Sequence, residues 1–258
     1  KDMGKMINKE DIKVVILCGG MGSRLKEYTD QMPKPLVPIG EKPIIWHIMK
    51  GYESHGINKF VLCLGYKGHV IKDFFLNYKN NLSDITIDLK NESVEKKTDV
   101  KEEWKVTLAN TGETTQTGLR LGKVKRYLKD FPLFMLTYGD GVGNINFDEL
   151  LEFHLKSDAV GTITGVRALS RYGAVGVNEN GRAKSFVEKP VLNDIINGGF
   201  MVFNREFLEN PMLERDIPIE DILKELTRRG QLSVYRHDGF WHSLDTHRDF
   251  EHLNSLWA

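Results

Sequence analysis

Three features of the 258-residue sequence predict an α/β fold: strand and helix signals alternate through its first half, apolar strands empty into glycine-rich loops, and closely spaced strand signals follow. The sheet is expected to be doubly wound and mostly parallel or mixed, flanked by helices, with a smaller β-rich extension. In sheets of this kind ligands sit outside the carboxyl ends of the strands.

Residues 13–18 form a β-branched apolar run that ends in Gly19-Gly20 and read as a buried strand. Pro43, then Ile44, Ile45, Ile48 and Met49, with Gly56 as a stop, give the spacing and punctuation of an amphipathic helix. Residues 59–64 are a second buried strand, and 69–78 carry Val70, Ile71, Phe74 and Phe75 at helical spacing. A more polar stretch follows, with Ile85, Ile87 and Leu89 alternating. Residues 104–109 alternate as a strand, 119–128 read as a helix, and 131–136 form a third strongly apolar strand running into Tyr138-Gly-Asp-Gly141. The closely spaced strands are 160–166, 174–177, 184–187 and 199–203. Then come a helix over 218–229 stopped by Gly230, a strand at 232–235 and a helix at 248–256.

Lys plus Arg and Asp plus Glu balance at 36 each, so no global field draws the chain to nucleic acid or to an anionic membrane. No apolar stretch reaches the roughly 18–20 residues of a membrane span. Cys18 and Cys63 both lie inside apolar strand signals, which fits small core residues in the cytoplasm better than a disulfide framework. Residues 1–9 are polar and carry no part of the fold reasoning.

The loop Leu17-Cys18-Gly19-Gly20-Met21-Gly22-Ser23-Arg24-Leu25 lets backbone N–H groups close on a phosphate chain, and Arg24 can donate a bidentate fork to phosphate oxygens. A tight turn would use the same glycines. The loop departs from both G-x-G-x-x-G and the Walker pattern, which counts against a dinucleotide oxidoreductase and a P-loop kinase. Lys34 lies between two prolines in Met32-Pro-Lys-Pro-Leu36, where a solvated lysine in a turn is the plainer reading. Asp140 ends an apolar strand, Glu188-Lys189 ends another, and Asp245 precedes the last helix; a turn or cap, a surface ion pair and a helix cap are their plain structural readings. His and Cys have no zinc-ligand spacing, and no Gly-x-Ser-x-Gly elbow is present.

In order along the chain, GGMGSRL, PKPL, GYKG, YGDG, FVEKP, INGGF and LDT resemble the sugar-phosphate nucleotidyltransferase family, from about Lys13 onward. Within that family KPIIWHIMKGYESHGI, the segment WKVTLANTGETTQTGLRL and GFWHSLDTHRD look most like the glucose-1-phosphate cytidylyltransferases. The resemblance implies a Rossmann-like nucleotide-diphospho-sugar transferase fold whose β-rich extension lies on the acceptor side. It implies one domain over 1–258, with about 12–145 as the nucleotide-binding half and about 146–258 as the sugar-phosphate half. Position by position, it implies that Leu17, Cys18, Gly19, Gly20, Met21, Gly22, Ser23 and Arg24 wrap a triphosphate, with Thr115, Arg120 and Gly139 contacting the nucleotide. Arg24 and Lys34 would be the catalytic cations, Lys34 also touching the phosphates. Asp140 and Asp245 would hold Mg²⁺, Glu188 and Lys189 the sugar phosphate, and Asn197 with Gly198 would line the sugar pocket.

The implied substrates are CTP and a sugar 1-phosphate, and the implied assembly is a homo-oligomer; nucleotide-activated sugars of this kind commonly feed polysaccharide synthesis. The segment 168–173 and Ser243 depart from the glucose-specific pattern, and both fall on the acceptor side. A different phosphorylated acceptor, UTP or dTTP in place of CTP, and a catalytically silent nucleotide-sugar sensor are the alternatives.

Overall fold

The computed structural model describes residues 8–170, 172–188 and 190–257. Its spine is an eight-stranded mixed sheet. The first strand, β1 (Ile12–Cys18), is buried on both faces, as its run of β-branched residues demands. Helix α1 (Ile44–Glu53) starts after the Pro43 cap and leads to β2 (Lys59–Leu64), which pairs in parallel with β1. Helix α2 (Gly68–Leu76) follows, then an exposed hairpin of β3 (Ser83–Asp88) and β4 (Ser93–Thr98). The chain returns to the sheet as β5 (Lys105–Asn110), parallel to β2.

Helix α3 (Thr117–Val124) is shorter than the sequence suggests, because a 3₁₀ turn takes over at Lys125–Tyr127. Strand β6 (Leu133–Tyr138) pairs in parallel with β1 and begins two residues later than expected. Pro132 has no N–H for a ladder, and the Phe131 N–H closes a turn on the Leu128 carbonyl at 2.9 Å. A short strand, β7 (Gly141–Gly143), comes next. Helix α4 (Phe147–Lys156), absent from the sequence reading, is capped by the Asn146 side chain accepting from the Glu149 N–H at 3.2 Å.

The second half adds β8 (Gly161–Leu169), a peripheral hairpin of β9 (Ala174–Val177) and β10 (Ala183–Val187), then β11 (Val191–Asn197) and β12 (Met201–Asn204). Strands β11 and β12 run along one edge of β8, antiparallel to it, and β12 also pairs antiparallel with β6. The break between them falls at Gly198-Gly199-Phe200, where Gly199 has φ 78° and Phe200 φ 46°. A left-handed backbone costs a bulky residue about 1–2 kcal/mol. Phe200 is held there by burial of its ring, by its N–H to Thr137 Oγ1 at 3.3 Å and by its carbonyl accepting from Thr164 Oγ1 at 2.8 Å. Helix α5 (Ile219–Arg228), strand β13 (Leu232–His237) parallel to β8, short strand β14 (Trp241–Ser243) and helix α6 (His247–Ser255) complete the chain.

Alternate side chains of β1 enter opposite cores. Val14 and Ile16 pack with Ile45, Met49, Tyr52 and Phe147, whereas Val15 and Leu17 pack with Leu121, Val124, Ile222 and Leu226. Each such side chain contributes roughly 1.5–3 kcal/mol on burial, so the centre of the sheet is fixed in register and its strand ends become rigid supports. Cys18 and Cys63 are buried free thiols in different cores, and burial pushes the Cys63 thiol up to about 12. Among the described residues no helix is long and apolar enough to cross a membrane.

Candidate active site

The carboxyl ends of β1 and β6 meet side by side, with the Gly139 N–H donating to the Leu17 carbonyl at 3.0 Å. Past β1 the chain runs through buried Gly19 and exposed Gly20 and Met21 into a 3₁₀ turn, Ser23–Leu25, that sets Arg24 out in solvent. Lys34 opens a second 3₁₀ turn, Lys34–Leu36, with Pro33 as its cap and Pro35 just inside it. Two prolines fix φ on either side and hold the lysine stem in one direction.

Asp140 and Asp245, far apart in sequence, are brought together by the antiparallel ladder of β7 with β14, in which Ser243 opposes Gly141. The Leu244 N–H donates to the Asp140 carbonyl at 2.8 Å and extends that ladder. Lys34 Nζ lies between the two carboxylates, 2.7 Å from Asp140 Oδ2 and 2.8 Å from Asp245 Oδ1, and Arg24 Nη2 donates to the same Asp245 oxygen at 3.0 Å. Burial alone would lower the Lys34 pKa, but Asp140 and then Asp245 raise it above its ordinary value. Burial would raise the Asp245 carboxyl; the Lys34 hydrogen bond and charge, with the Arg24 charge behind them, hold it below the usual carboxylate range.

A carboxyl whose folded pKa is depressed adds stability that is present above its unfolded value, near 4, and is lost as pH falls through the lower folded value. Thermal melts between pH 7 and pH 3 are therefore expected to show the Tm advantage of the native chain over Asp245→Asn shrinking below pH 4. A pH-independent difference would mean that charge pairing is not what Asp245 contributes.

Asp245 is not the helix cap that its position suggests. Thr246 caps α6 in a reciprocal capping box with Asp249. Asp249 also accepts from the Asp245 N–H at 3.0 Å and faces His242 Nε2 at 3.1 Å. Although burial opposes it, these bonds hold the Asp249 carboxyl far below its ordinary value. The Asp245 backbone is thus tied to a rigid helix start, leaving its carboxylate turned to Lys34 and Arg24.

Arg120, on α3, is buried and spans three segments. Its guanidinium donates to the carbonyls of Gly19 at 3.2 Å, Leu64 at 3.3 Å, Gly112 at 2.7 Å and Glu113 at 3.1 Å, and to Thr111 Oγ1 at 2.7 Å. A Cβ on Gly19 would stand 2.1 Å from Arg120 Cζ, and one on Gly65 2.6 Å from its Nη1, so these glycines make room for a side chain. The guanidinium lines a small pocket of about 90 Å³ with Gly19, Gly20, Lys34, Gly139 and Asp140, while its N–H groups bind protein acceptors. Thr115, half-buried in the loop before α3, accepts from Lys123 Nζ at 3.2 Å.

On the far side of Asp140 a cleft of about 1280 Å³ opens, lined by Asn197, Gly198, Tyr138, Glu220, Trp241 and Asp245. Trp241 Nε1 donates to the Gly198 carbonyl at 2.8 Å and fixes one wall. Glu188 is exposed at the end of β10 and is not among the residues lining the cleft; Lys189 lies outside the described residues. Sequence reasoning missed Glu220, whose place in the first turn of α5 reads simply as an acid at a helix start. It also gave Tyr138 and Trp241 no side-chain role, although both stand inside motifs it picked out.

Two cations and two carboxylates from separate segments converge at the sheet's ligand edge, between a small glycine-walled pocket and a large cleft. Such a site suits one polyanion beside a second ligand. Among the described residues no group of three or more His, Cys, Asp or Glu is placed to hold a metal ion alone. Magnesium, however, commonly takes one or two carboxylates with substrate phosphates, and Asp140 and Asp245, whose oxygens share one ammonium, are hard oxygen donors of that kind.

The chain is similar to known proteins in both structure and sequence. In overall structure the chain is similar to HddC from Yersinia pseudotuberculosis, with a TM-score of 0.68 at 23% identity, covering 95% of this chain and 99% of that one. It is also similar to a putative glucose-1-phosphate thymidylyltransferase from Bacillus anthracis, with a TM-score of 0.65 at 18% identity, covering 95% and 94% of the two chains. In sequence it is 43% identical over 247 residues to the probable glucose-1-phosphate cytidylyltransferase of Bacillus subtilis (strain 168), covering 95% of this chain and 96% of that protein. It is 41% identical over 249 residues to the glucose-1-phosphate cytidylyltransferase of Salmonella typhi, with the same coverage. The family described as nucleotidyl transferase matches residues 13–257, and the chain belongs to it.

Proposed function

We propose that this nucleotidyltransferase moves a cytidylyl group from CTP to a sugar 1-phosphate, with glucose 1-phosphate as the acceptor, giving a CDP-sugar and pyrophosphate. The observation that carries the reading is the Lys34 ammonium held between Asp140 and Asp245 at the mouth of the glycine loop. The printed names of the relatives at 41–43% identity supply the base and the sugar.

In this reading residues Leu17–Arg24, with Thr115, Arg120 and Gly139, hold the nucleotide, and Arg120 does so by bracing the loop. Asn197 and Gly198, and on the resemblance Glu188 and Lys189, serve the sugar phosphate. On the resemblance, about 12–145 forms the nucleotide half and about 146–258 the sugar-phosphate half; the small pocket is lined from the first half alone, whereas the cleft draws on both. The resemblance adds a homo-oligomer working in the cytoplasm.

A sugar-phosphate oxygen attacks the α-phosphorus; the new P–O bond forms as the bond to the β-phosphate bridging oxygen breaks, and pyrophosphate leaves. The attacking oxygen is already anionic, so the site supplies positive charge and alignment rather than a general base. Lys34 and Arg24 provide that charge, and Asp140 and Asp245 keep Lys34 protonated and aimed. Magnesium bound by the two aspartates would neutralise phosphate charge when present.

The test follows pyrophosphate release with Mg²⁺ and CTP, UTP, dTTP, ATP or GTP, each against glucose 1-phosphate. Release with CTP at least about tenfold above the other triphosphates is expected. Equal release with UTP or dTTP would overturn the base assignment, and silence with all five, together with retained nucleotide binding by calorimetry, would favour a sensor.

A further inference from the structure

The large cleft contains a polar chain that the phosphate chemistry does not use. The Gly199 N–H donates to Asn197 Oδ1 at 3.0 Å, Asn197 Nδ2 donates to the Tyr138 hydroxyl at 3.3 Å, and that hydroxyl donates to Glu220 Oε1 at 2.5 Å. The direction is fixed throughout. The backbone N–H orients the Asn197 amide, the amide occupies the phenol's lone pair, and the phenol's proton goes to the carboxylate. The phenol is thus held between the two side chains, accepting from Asn197 and donating to Glu220. Each end of the chain keeps hydrogen-bonding capacity to spare. Asn197 has a second Nδ2–H, and Glu220 has its Oε2.

Charge decides what those ends face. Asp140 and Asp245 pair with Lys34, and Asp249 with His242 and the start of α6. Among the described residues Glu220 has no cationic partner; its neighbour Asp221 pairs with Lys224 at 2.8 Å, away from it. A lone carboxylate beside a polyanion site would repel phosphate, so Glu220 must meet the uncharged part of a ligand. It lines the large cleft and not the small pocket under the glycine loop, while Tyr138 lines both and forms the wall between them. One donor and one acceptor, set apart by two hydrogen bonds that meet on a single phenol oxygen, match a pair of neighbouring hydroxyls, one accepting and one donating.

We infer that Glu220 and Asn197, held by Tyr138, read two adjacent ring hydroxyls of the acceptor sugar, and that Glu220 is a specificity-determining residue. This rests on the reading of the cleft as the sugar 1-phosphate site. A site built to hydrogen-bond a substrate hydroxyl discriminates strongly against an analogue lacking it, because its polar groups are then left unpaired.

The experiment is a substrate-by-variant matrix in steady-state kinetics. Native chain, Glu220→Gln and Tyr138→Phe are assayed with CTP against glucose 1-phosphate, its single-deoxy analogues, and the galactose and mannose epimers. The native chain is expected to lose on the order of 100-fold in kcat/KM with the analogue lacking the hydroxyl that Glu220 accepts from. Glu220→Gln is expected to lose a similar factor with the intact sugar, through the sugar KM, with the CTP KM within about twofold of native. It should no longer distinguish the intact sugar from that analogue. Tyr138→Phe, which keeps the ring and removes the link, should show the same pattern more weakly. An unchanged sugar KM in Glu220→Gln, an equal rise in the CTP KM, or undiminished discrimination against every analogue would overturn the inference alone. If the native chain makes no product from CTP with any of the sugar phosphates, the functional reading falls first and the inference falls with it.

Discussion

Asp140→Asn is expected to lower kcat by roughly 100- to 1000-fold, the scale seen when one preorganised electrostatic group is removed from an active site. The substitution is close to isosteric, and the Asp140 side chain is partly open to the cleft, so little core packing changes. Lys34 keeps Asp245 as a partner, which avoids a buried unpaired cation. The expected stability loss is about 1 kcal/mol or less, a Tm shift of about 2–4 °C in a chain of this size. Turnover at saturating Mg²⁺ and a thermal melt on the same sample check both halves of the expectation. Near-native turnover would remove Asp140 from the reaction; loss of activity in step with unfolding would reassign it to the fold.

Arg120→Met is expected to be the most destabilising single change near the site, at about 3–5 kcal/mol. Methionine retains much of the apolar stem, but the carbonyls of Gly19, Leu64, Gly112 and Glu113 lose a charged donor, and those left dry each cost about 1–3 kcal/mol. The upper part of that range would apply only if water failed to enter. Gly19→Ala should act on the same joint from the other side, because its methyl overlaps a guanidinium that hydrogen bonds to three segments pin in place. Urea melts give the free energies directly. An Arg120→Met chain within 1 kcal/mol of native would show that the loop is braced by something else, and the bracing role assigned to this arginine would have to be dropped.

The centre of the sheet was legible in the sequence because strands buried on both faces are unbroken apolar runs, as at Val14-Val15-Ile16 and Phe60-Val61-Leu62. Helix α4 carries a usable signal in Asn146, in Asp148 and Glu149 in its first turn, and in the spacing of Phe147, Leu150 and Leu151, but it is short and lies between two more conspicuous motifs. Strand β11 had little signal, since Asn193 and Asp194 interrupt its apolar residues. The glycine loop could be read locally. The meeting of Lys34, Asp140 and Asp245 could not, because it depends on a ladder of only three residues per strand, too short for any periodicity; family resemblance alone pointed to it. Glu220 was invisible because its one side-chain link, accepting from the Tyr138 hydroxyl at the end of β6, joins segments far apart in sequence and leaves no local pattern.

That short ladder also sets the order in which a nascent chain gains its chemistry. The glycine loop, Lys34 and Asp140 all leave the ribosome well before Trp241–Ser243, the strand that delivers Asp245. At about 5–20 residues per second the intervening chain takes several seconds to synthesise, ample time for the earlier strands to collapse. During that interval a partly made chain has the glycine loop and one carboxylate, but not the second carboxylate that completes the lysine's cage. The cluster around Lys34 is thus completed only after β14 has been made and has docked on β7, so it depends on both halves of the described chain and is not a property of the first folded half alone.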